Sequence, residues 1–544
     1  MEFDDLFKLK PVYDFDVIKG KLAYVIWKDK PIAYIHNEGE ISVDGYVDEV
    51  KWVNDKKLAL VIDPNGGEVR QIWLREKDGK LEKILTDKYD NSSPYFIDEY
   101  KFLFISNRDG KTLHLYLYDN GEIMKISEGE LPVTDYCSDK NKVVYSQGIY
   151  DNDLIIFDLK RNVRENIISF PNSEEYPASN NCVGDDGSII FISNKDDFFN
   201  VGMWKEGEKW LIKSNHDKLE ATFFKGKLFY VEDIEGTFML KSDDKVIFEG
   251  GLIGSLNVDE SLYFLASTYN RSYDLYRYDG VKVMRITDSM NGIKTSEFVK
   301  PNKVKYKSFD GLEITALLYS KGNEDKGVVY IHGGPDWECT ESFNTDIQFL
   351  VKAGFKVVCP NYRGSTGYGR RFNHLNDKDL GGGDLRDVVE AVKVLGVNKV
   401  AVVGGSYGGY LTMMAITKYP EIWCSAVAIV PFVNWFTEKQ FEREYLKQYD
   451  EIKIGNDEAL LRDRSPIFFV DKIRSPLLLL AGENDPRCPA EETMQVVNKL
   501  KELGRDVEYK IYKDEGHGFA KKENEVDAVK RIVEFVSSHC KRMD

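Results

Sequence analysis

The chain has 544 residues, 42% of them hydrophobic and 30% charged, the balance of a globular protein whose length exceeds one ordinary core and implies two or more domains. A formal net charge of −17 argues against nucleic acid and anionic lipid as partners. No apolar run approaches the roughly 18 residues of a membrane span, and the acidic start Met1-Glu-Phe-Asp-Asp-Leu-Phe7 lacks the basic-then-apolar order of a secretion signal.

The cysteines, Cys137, Cys182, Cys339, Cys359, Cys424, Cys488 and Cys540, are odd in number and scattered without a C-x-x-C pair. That pattern predicts reduced thiols in a cytoplasmic protein rather than a disulfide framework or a zinc site. No metal or cofactor motif stands out.

Residues 1–10 suit a short amphipathic helix through Phe3, Leu6 and Phe7. Seven apolar strands then recur as far as about residue 290: Leu22–Trp27, Leu58–Ile62, Lys101–Ser106, Lys142–Gln147, Ser188–Ser193, Lys227–Glu232 and Ser261–Ala266. Each is followed after a short polar turn by a second strand, from Pro31–His36 in the first case to Asp274–Asp279 in the last. The spacing of about 34 to 46 residues, all strand, predicts a seven-bladed β-propeller with one four-stranded sheet per period. A β-sandwich is the alternative, but it has no need of such even spacing. The repeats lack a Gly-His…Trp-Asp signature, so the scaffold is not read as WD40.

From about Pro301 the texture changes. A hairpin, Lys303–Phe309 and Glu313–Tyr319 around Asp310-Gly311, is followed by short apolar strands that alternate with helical stretches. The strands are Val328–Ile331, Lys356–Cys359, Lys399–Val403, Ala426–Val430, Leu477–Ala481 and Val507–Tyr512. Continuous apolar runs of this length suit a mostly parallel sheet covered on both faces. The division is therefore a propeller over 1–295 and an α/β domain over 296–544.

Chemistry is concentrated at Gly404-Gly-Ser-Tyr-Gly408, a serine between strand and helix with glycines on both sides. In that context G-x-S-x-G is a nucleophile elbow. A serine hydroxyl needs a base, and His517, in Glu515-Gly-His-Gly-Phe519 after the last strand, can supply an imidazole with a solution pKa of about 6.5. The imidazole needs an acid to orient it. Asp485, at the end of the strand Leu477–Ala481, completes the order nucleophile, acid, base of α/β-hydrolases; Glu483 and Asp514 are its rivals. Oxyanion donors are expected from the N–H of Tyr407 and, in the loop His332-Gly-Gly-Pro335, of Gly334. His332 reads as a structural residue of that loop.

With these motifs, and with Asn361-Tyr-Arg-Gly-Ser-Thr-Gly-Tyr-Gly369 and Asp485-Pro-Arg-Cys-Pro489, the chain resembles the prolyl oligopeptidase family of serine peptidases over essentially its full length. Within the family it is most similar to the acylaminoacyl-peptidase branch. The resemblance implies a propeller that caps the site and admits short peptides, and a glycine-loop oxyanion donor where other branches use a tyrosine hydroxyl. It also implies that Arg487 binds a substrate carbonyl, although a structural ion pair would explain the residue almost as well. Phe432, Trp435 and Phe436 would line an apolar pocket, with ordinary packing as the alternative. Cys488 departs from the valine or threonine common at its position. No pair of glutamates for a free amino terminus is identifiable. The implied activity is release of N-acylated residues from blocked peptides, with esterase side activity. A dipeptidyl aminopeptidase, an oligopeptidase, a carboxylesterase and a silent propeller binding module are the alternatives. Short peptides are the expected partners, without nucleic acid or membrane, and a homo-oligomer is compatible with the sequence.

Overall fold

A computed structural model describes residues 1–541, which form seven four-stranded sheets and one eight-stranded sheet. The four-stranded sheets occupy residues 12–41, 46–85, 91–125, 133–168, 175–212, 217–250 and 252–285, each strand pairing with its neighbour in sequence. They are the seven blades that the repeat implies.

Burial on both faces of a strand explains why the blades stack. Successive side chains point to opposite faces, and every residue of Leu58–Asp63 is buried. Leu58, Leu60 and Ile62 pack with Val25 and Ile35 of the first blade, while Ala59 and Val61 pack with Phe96 and Phe104 of the third. One blade alone would leave one of these faces in water. Bulges in the first strands reinforce the contact, because each turns an acid toward the next blade. Asp14 accepts from the Val50 N–H at 2.9 Å, Glu49 from Ser93 at 3.0 Å and Glu220 from Ser255 at 2.7 Å. The ring closes without strand exchange: Phe15, Val17 and Leu22 of the first blade pack against Tyr263, Leu265 and Leu275 of the last.

The eight-stranded sheet holds β1 (Asn302–Lys307), β2 (Glu313–Tyr319), β3 (Lys326–Ile331), β4 (Phe355–Pro360), β5 (Lys399–Gly405), β6 (Trp423–Ile429), β7 (Leu477–Gly482) and β8 (Glu508–Tyr512). Their order is β1-β2-β4-β3-β5-β6-β7-β8, antiparallel as far as β4 and parallel from there. The helices used below are α1 (Thr345–Lys352), α2 (Gly383–Glu390), α3 (Tyr407–Lys418), α4 (Trp435–Phe441), α5 (Glu444–Lys453), α6 (Ala490–Glu502) and α7 (Lys522–His539). Within β7, Leu477 and Leu479 face a core shared with α3 and α6, and Leu478 and Leu480 face one shared with α1 and α7. A strand sandwiched in this way needs apolar residues at every position. No described helix is long and apolar enough to cross a membrane.

Two expectations are corrected. Phe3–Lys8 is a 3-10 helix, and at three residues per turn Phe3 and Leu6 share a side while Phe7 stays 49% exposed. Phe3 stacks on Phe349 of α1 at 4.8 Å, and Leu6 joins Val526 and Val529 of α7, so the start of the chain docks on the α/β domain. The cysteines are mostly bridged, not reduced: Cys137–Cys182, Cys339–Cys359 and Cys424–Cys540 are disulfides, and Cys488 is free and buried. Their separations of 45, 20 and 116 residues are closed by tertiary packing, which local spacing does not show.

Candidate active site

β5 ends at Gly405 and α3 begins at Tyr407, leaving Ser406 alone to make the turn. Its backbone, φ 57° and ψ −122°, lies where a residue with a side chain is strained. The flanking glycines make that conformation reachable. A Cβ on Gly404 would lie 2.3 Å from the Gly408 carbonyl oxygen, and one on Gly408 would lie 2.2 Å from that of Ile331. The turn thus presents the hydroxyl at the carboxyl end of the sheet.

Loops after β7 and β8 bring the partners. The Nε2 of His517 is 2.8 Å from Ser406 Oγ, and its Nδ1 is 2.8 Å from Asp485 Oδ2. Asp485 is 5% exposed, and its Oδ1 accepts from the N–H groups of Arg487 at 2.8 Å and Cys488 at 2.9 Å. The carboxylate is therefore held independently of the imidazole. Because it only accepts, Nδ1 must carry the ring proton, and Nε2 is left to accept from the serine hydroxyl. Both rival acids are engaged elsewhere: Glu483 accepts from the Asp514 N–H at 3.1 Å, and Asp514 faces Lys521 at 3.5 Å.

Tyr407 is the first residue of α3, so its N–H has no acceptor within the helix. Gly333 and Gly334 share a cavity with Ser406 and His517. A Cβ on Gly333 would stand 3.3 Å from that of Ser406, and Gly334 has a φ of 119°, so glycine suits both positions. His332 holds this loop. Its Nε2 pairs with Ser365 Oγ at 2.7 Å, its ring stacks on Tyr362 at 4.2 Å, and burial pushes its imidazole down to about 4.

The cavity, of about 400 Å³, also takes in Phe432, Trp435, Leu446 and Arg487. Phe432 and Trp435 form an edge-on pair at 4.7 Å. Phe436 is a correction: one step further round α4, it leaves the cavity and packs against Phe468 at 6.1 Å. The guanidinium of Arg487 is bound to Glu68 of the propeller, Nη2 to Oε1 at 2.7 Å and Nε to Oε2 at 3.0 Å, as the ion-pair alternative requires. The cavity acids Asp336, Glu438, Glu442 and Asp450 are among the lining residues that escaped the sequence reading. For Glu438 and Glu442 the available signal was helical spacing, since Glu438 follows Trp435 by one turn and Glu442 follows Glu438 by another.

The propeller touches the site directly. Asn484 donates to the Asn65 carbonyl at 3.0 Å and Arg443 to that of Gly67 at 2.7 Å. Gly66 lies against Gly516, next to the imidazole; a Cβ on Gly66 would be 2.4 Å from the Gly516 nitrogen.

Comparison with known proteins adds a family. Residues 341–542 match the model of the prolyl oligopeptidase family. The match lies within the carboxyl-terminal domain and covers less than half of the chain. Among curated members, the chain is 33% identical to dipeptidyl peptidase family member 6 of Caenorhabditis elegans over 39% of this chain and 30% of that protein. It is 28% identical to the acylamino-acid-releasing enzyme of Sus scrofa over 44% of this chain and 35% of that protein. The chain thus spans about a third of the length of the curated relatives it matches. A solved structure of Pyrococcus horikoshii acylaminoacyl peptidase superposes with a TM-score of 0.76 at 20% identity, covering 100% of this chain and 98% of that one. That is a likeness of fold across both domains.

Proposed function

We propose that the protein is a serine peptidase that hydrolyses short peptides through an acyl-enzyme, releasing N-acylated residues from blocked substrates and cleaving esters as a side activity. The observation that carries the reading is the hydrogen-bonded run Ser406–His517–Asp485, with both links at 2.8 Å. His517 takes the serine proton as Oγ attacks the carbonyl carbon, then returns it to the departing amine. The oxyanion that forms accepts from the N–H groups of Tyr407 and Gly334. The collapsed intermediate leaves the acyl group on Ser406, and a water activated by the same imidazole releases it.

The likeness to acylamino-acid-releasing enzymes supports blocked peptides as substrates. The 33% identity to a dipeptidyl peptidase family member favours a second reading, an enzyme for free amino ends. The test is a fluorophosphonate probe together with matched peptides, acetyl-blocked and free. Ser406→Ala should lose labelling and more than about 10³-fold in kcat while remaining folded. A wild-type preference for free amino ends would replace the first reading with the second, and labelling that survives Ser406→Ala would refute both.

A further inference from the structure

Besides Asp336, three carboxyls in the site cavity have no part in the proton relay. Glu438 comes from α4, Glu442 follows the end of that helix, and Asp450 belongs to α5; all line the cavity of Ser406 and His517. Glu438 is 3% exposed, and Glu442 and Asp450 are each 7% exposed. Carboxyls this far from water normally face a cation or several N–H donors. Here Oε2 of Glu438 and Oε1 of Glu442 have no hydrogen-bond partner.

The cations nearby are already engaged. Lys439 donates to Asn456 at 2.9 Å, Lys447 to Glu444 at 2.8 Å, and Lys453 to Asn376 and Asp377, each at 2.6 Å. Arg487 is held by Glu68. Asp336, a further acid on the wall, is satisfied by Asn373 at 2.7 Å, by Tyr449 at 3.1 Å and by Tyr150. Burial pushes the carboxyls of Glu438, Glu442 and Asp450 upward, as expected of acids with no cation beside them. Among the described residues, no cation forms an ion pair with Glu438, Glu442 or Asp450.

Its other wall is aromatic and aliphatic, built from Tyr407, Phe432, Trp435 and Leu446. An apolar sleeve with unpartnered carboxyls complements an alkyl stem tipped by a charge. We infer that the cavity selects a peptide whose residue on the acyl side of the scissile bond is lysine or arginine, with Glu438 and Glu442 receiving its cationic end. The inference rests on the reading of Ser406 as the nucleophile. A metal ion is a poorer occupant, since no group of acids, cysteines and histidines among the described residues is placed to hold one. A free α-amine fits less well, because it has no stem to fill the sleeve. The net charge of −17 favours the approach of cationic peptides.

The test compares Nα-acetyl-lysine and Nα-acetyl-norleucine p-nitroanilides, which share a stem and differ in charge, with unblocked alanyl-norleucine p-nitroanilide alongside. Lysine should exceed norleucine by about 100-fold or more in kcat/KM, the scale on which a site with buried polar groups rejects an analogue lacking their partner. Glu438→Gln should shrink that ratio by about tenfold or more, and Glu442→Gln should shrink it in the same direction. Thermal unfolding of each variant shows whether the fold is kept. Norleucine equal to lysine in the wild type, or a ratio that neither variant moves, overturns the inference. So does a preference for alanyl-norleucine that Glu438→Gln removes, since the carboxyls would then serve an amino terminus. Fluorophosphonate labelling of Ser406 separates the two levels: with labelling intact such results sink only the specificity, whereas absent labelling sinks the serine reading too.

Discussion

Asp485 does more than neutralise charge, because its geometry dictates which ring nitrogen of His517 carries the proton. Two main-chain N–H groups hold one carboxylate oxygen and leave the other for Nδ1. In Asp485→Asn the amide oxygen can keep the two main-chain donors, so the loop should stay as it is. The amide nitrogen then faces Nδ1 and donates to it, which moves the ring proton to Nε2 and leaves no acceptor for the serine hydroxyl. We expect kcat to fall by about 10⁴-fold, as in other triads, with no significant change in the unfolding midpoint. A loss under tenfold would mean that Asp485 does not set the tautomer. The three side chains of the relay were legible in the sequence because each lies just past a strand end in a glycine-marked loop. Asp450 was not, because it reaches the cavity from a separate helix whose packing no local pattern records. Phe436 and Trp435 show the limit most sharply: adjacent in sequence and alike in chemistry, they differ by the roughly 100° that one residue turns on a helix.

At the scale of elements, the legible strands were those buried on both sides. The second strands of the blades, such as Leu58–Asp63 and Lys101–Ser106, carry the apolar runs that announced the repeat. Outer strands such as Glu122–Lys125, exposed at every position, carry no apolar alternation to find. Helix α7 illustrates a constraint of a different kind. Its apolar face, with Val526, Val529, Ile532, Val533 and Val536, covers the sheet, and Cys540 just beyond it is bridged to Cys424 in β6. The bridge closes 116 residues, so its loss restores much freedom to the unfolded chain. Cys540→Ser should cost about 2–4 kcal/mol, and amide exchange should quicken first along 522–539. Digestion without reductant should recover the three linked pairs, and Cys488 should react with a thiol reagent only after denaturation. Labelling of seven thiols on denaturation without reductant would reinstate the reduced state.

For the whole molecule, the telling contact is where two backbones meet with no side chain between them. Residues 63–68 of the propeller are stiffened by Asp63, whose carboxylate accepts from the N–H groups of Gly66 at 2.9 Å and Glu68 at 3.2 Å. Gly66 presses on Gly516, so a methyl group there would meet main-chain atoms at 2.4 to 2.9 Å, too close for either loop to remain in place. The loop that yields is tied to His517. Gly66→Ala should therefore lower kcat for small esters and peptides alike, by about 100-fold if the imidazole moves by about 1 Å, although the substitution lies in the other domain. Gly66 also has a φ of 85°, which alone disfavours alanine. Gly79 supplies the control: its φ is 91°, and a Cβ there would meet nothing within 4 Å, so Gly79→Ala incurs the same backbone strain without the collision. If the two variants matched in kcat, the propeller would be a cap that excludes folded proteins and nothing more. If only Gly66→Ala slowed the chemistry, as the contact predicts, the propeller would also hold the base in register with its nucleophile, and any opening of the two domains to admit a peptide would disassemble the relay until they closed again.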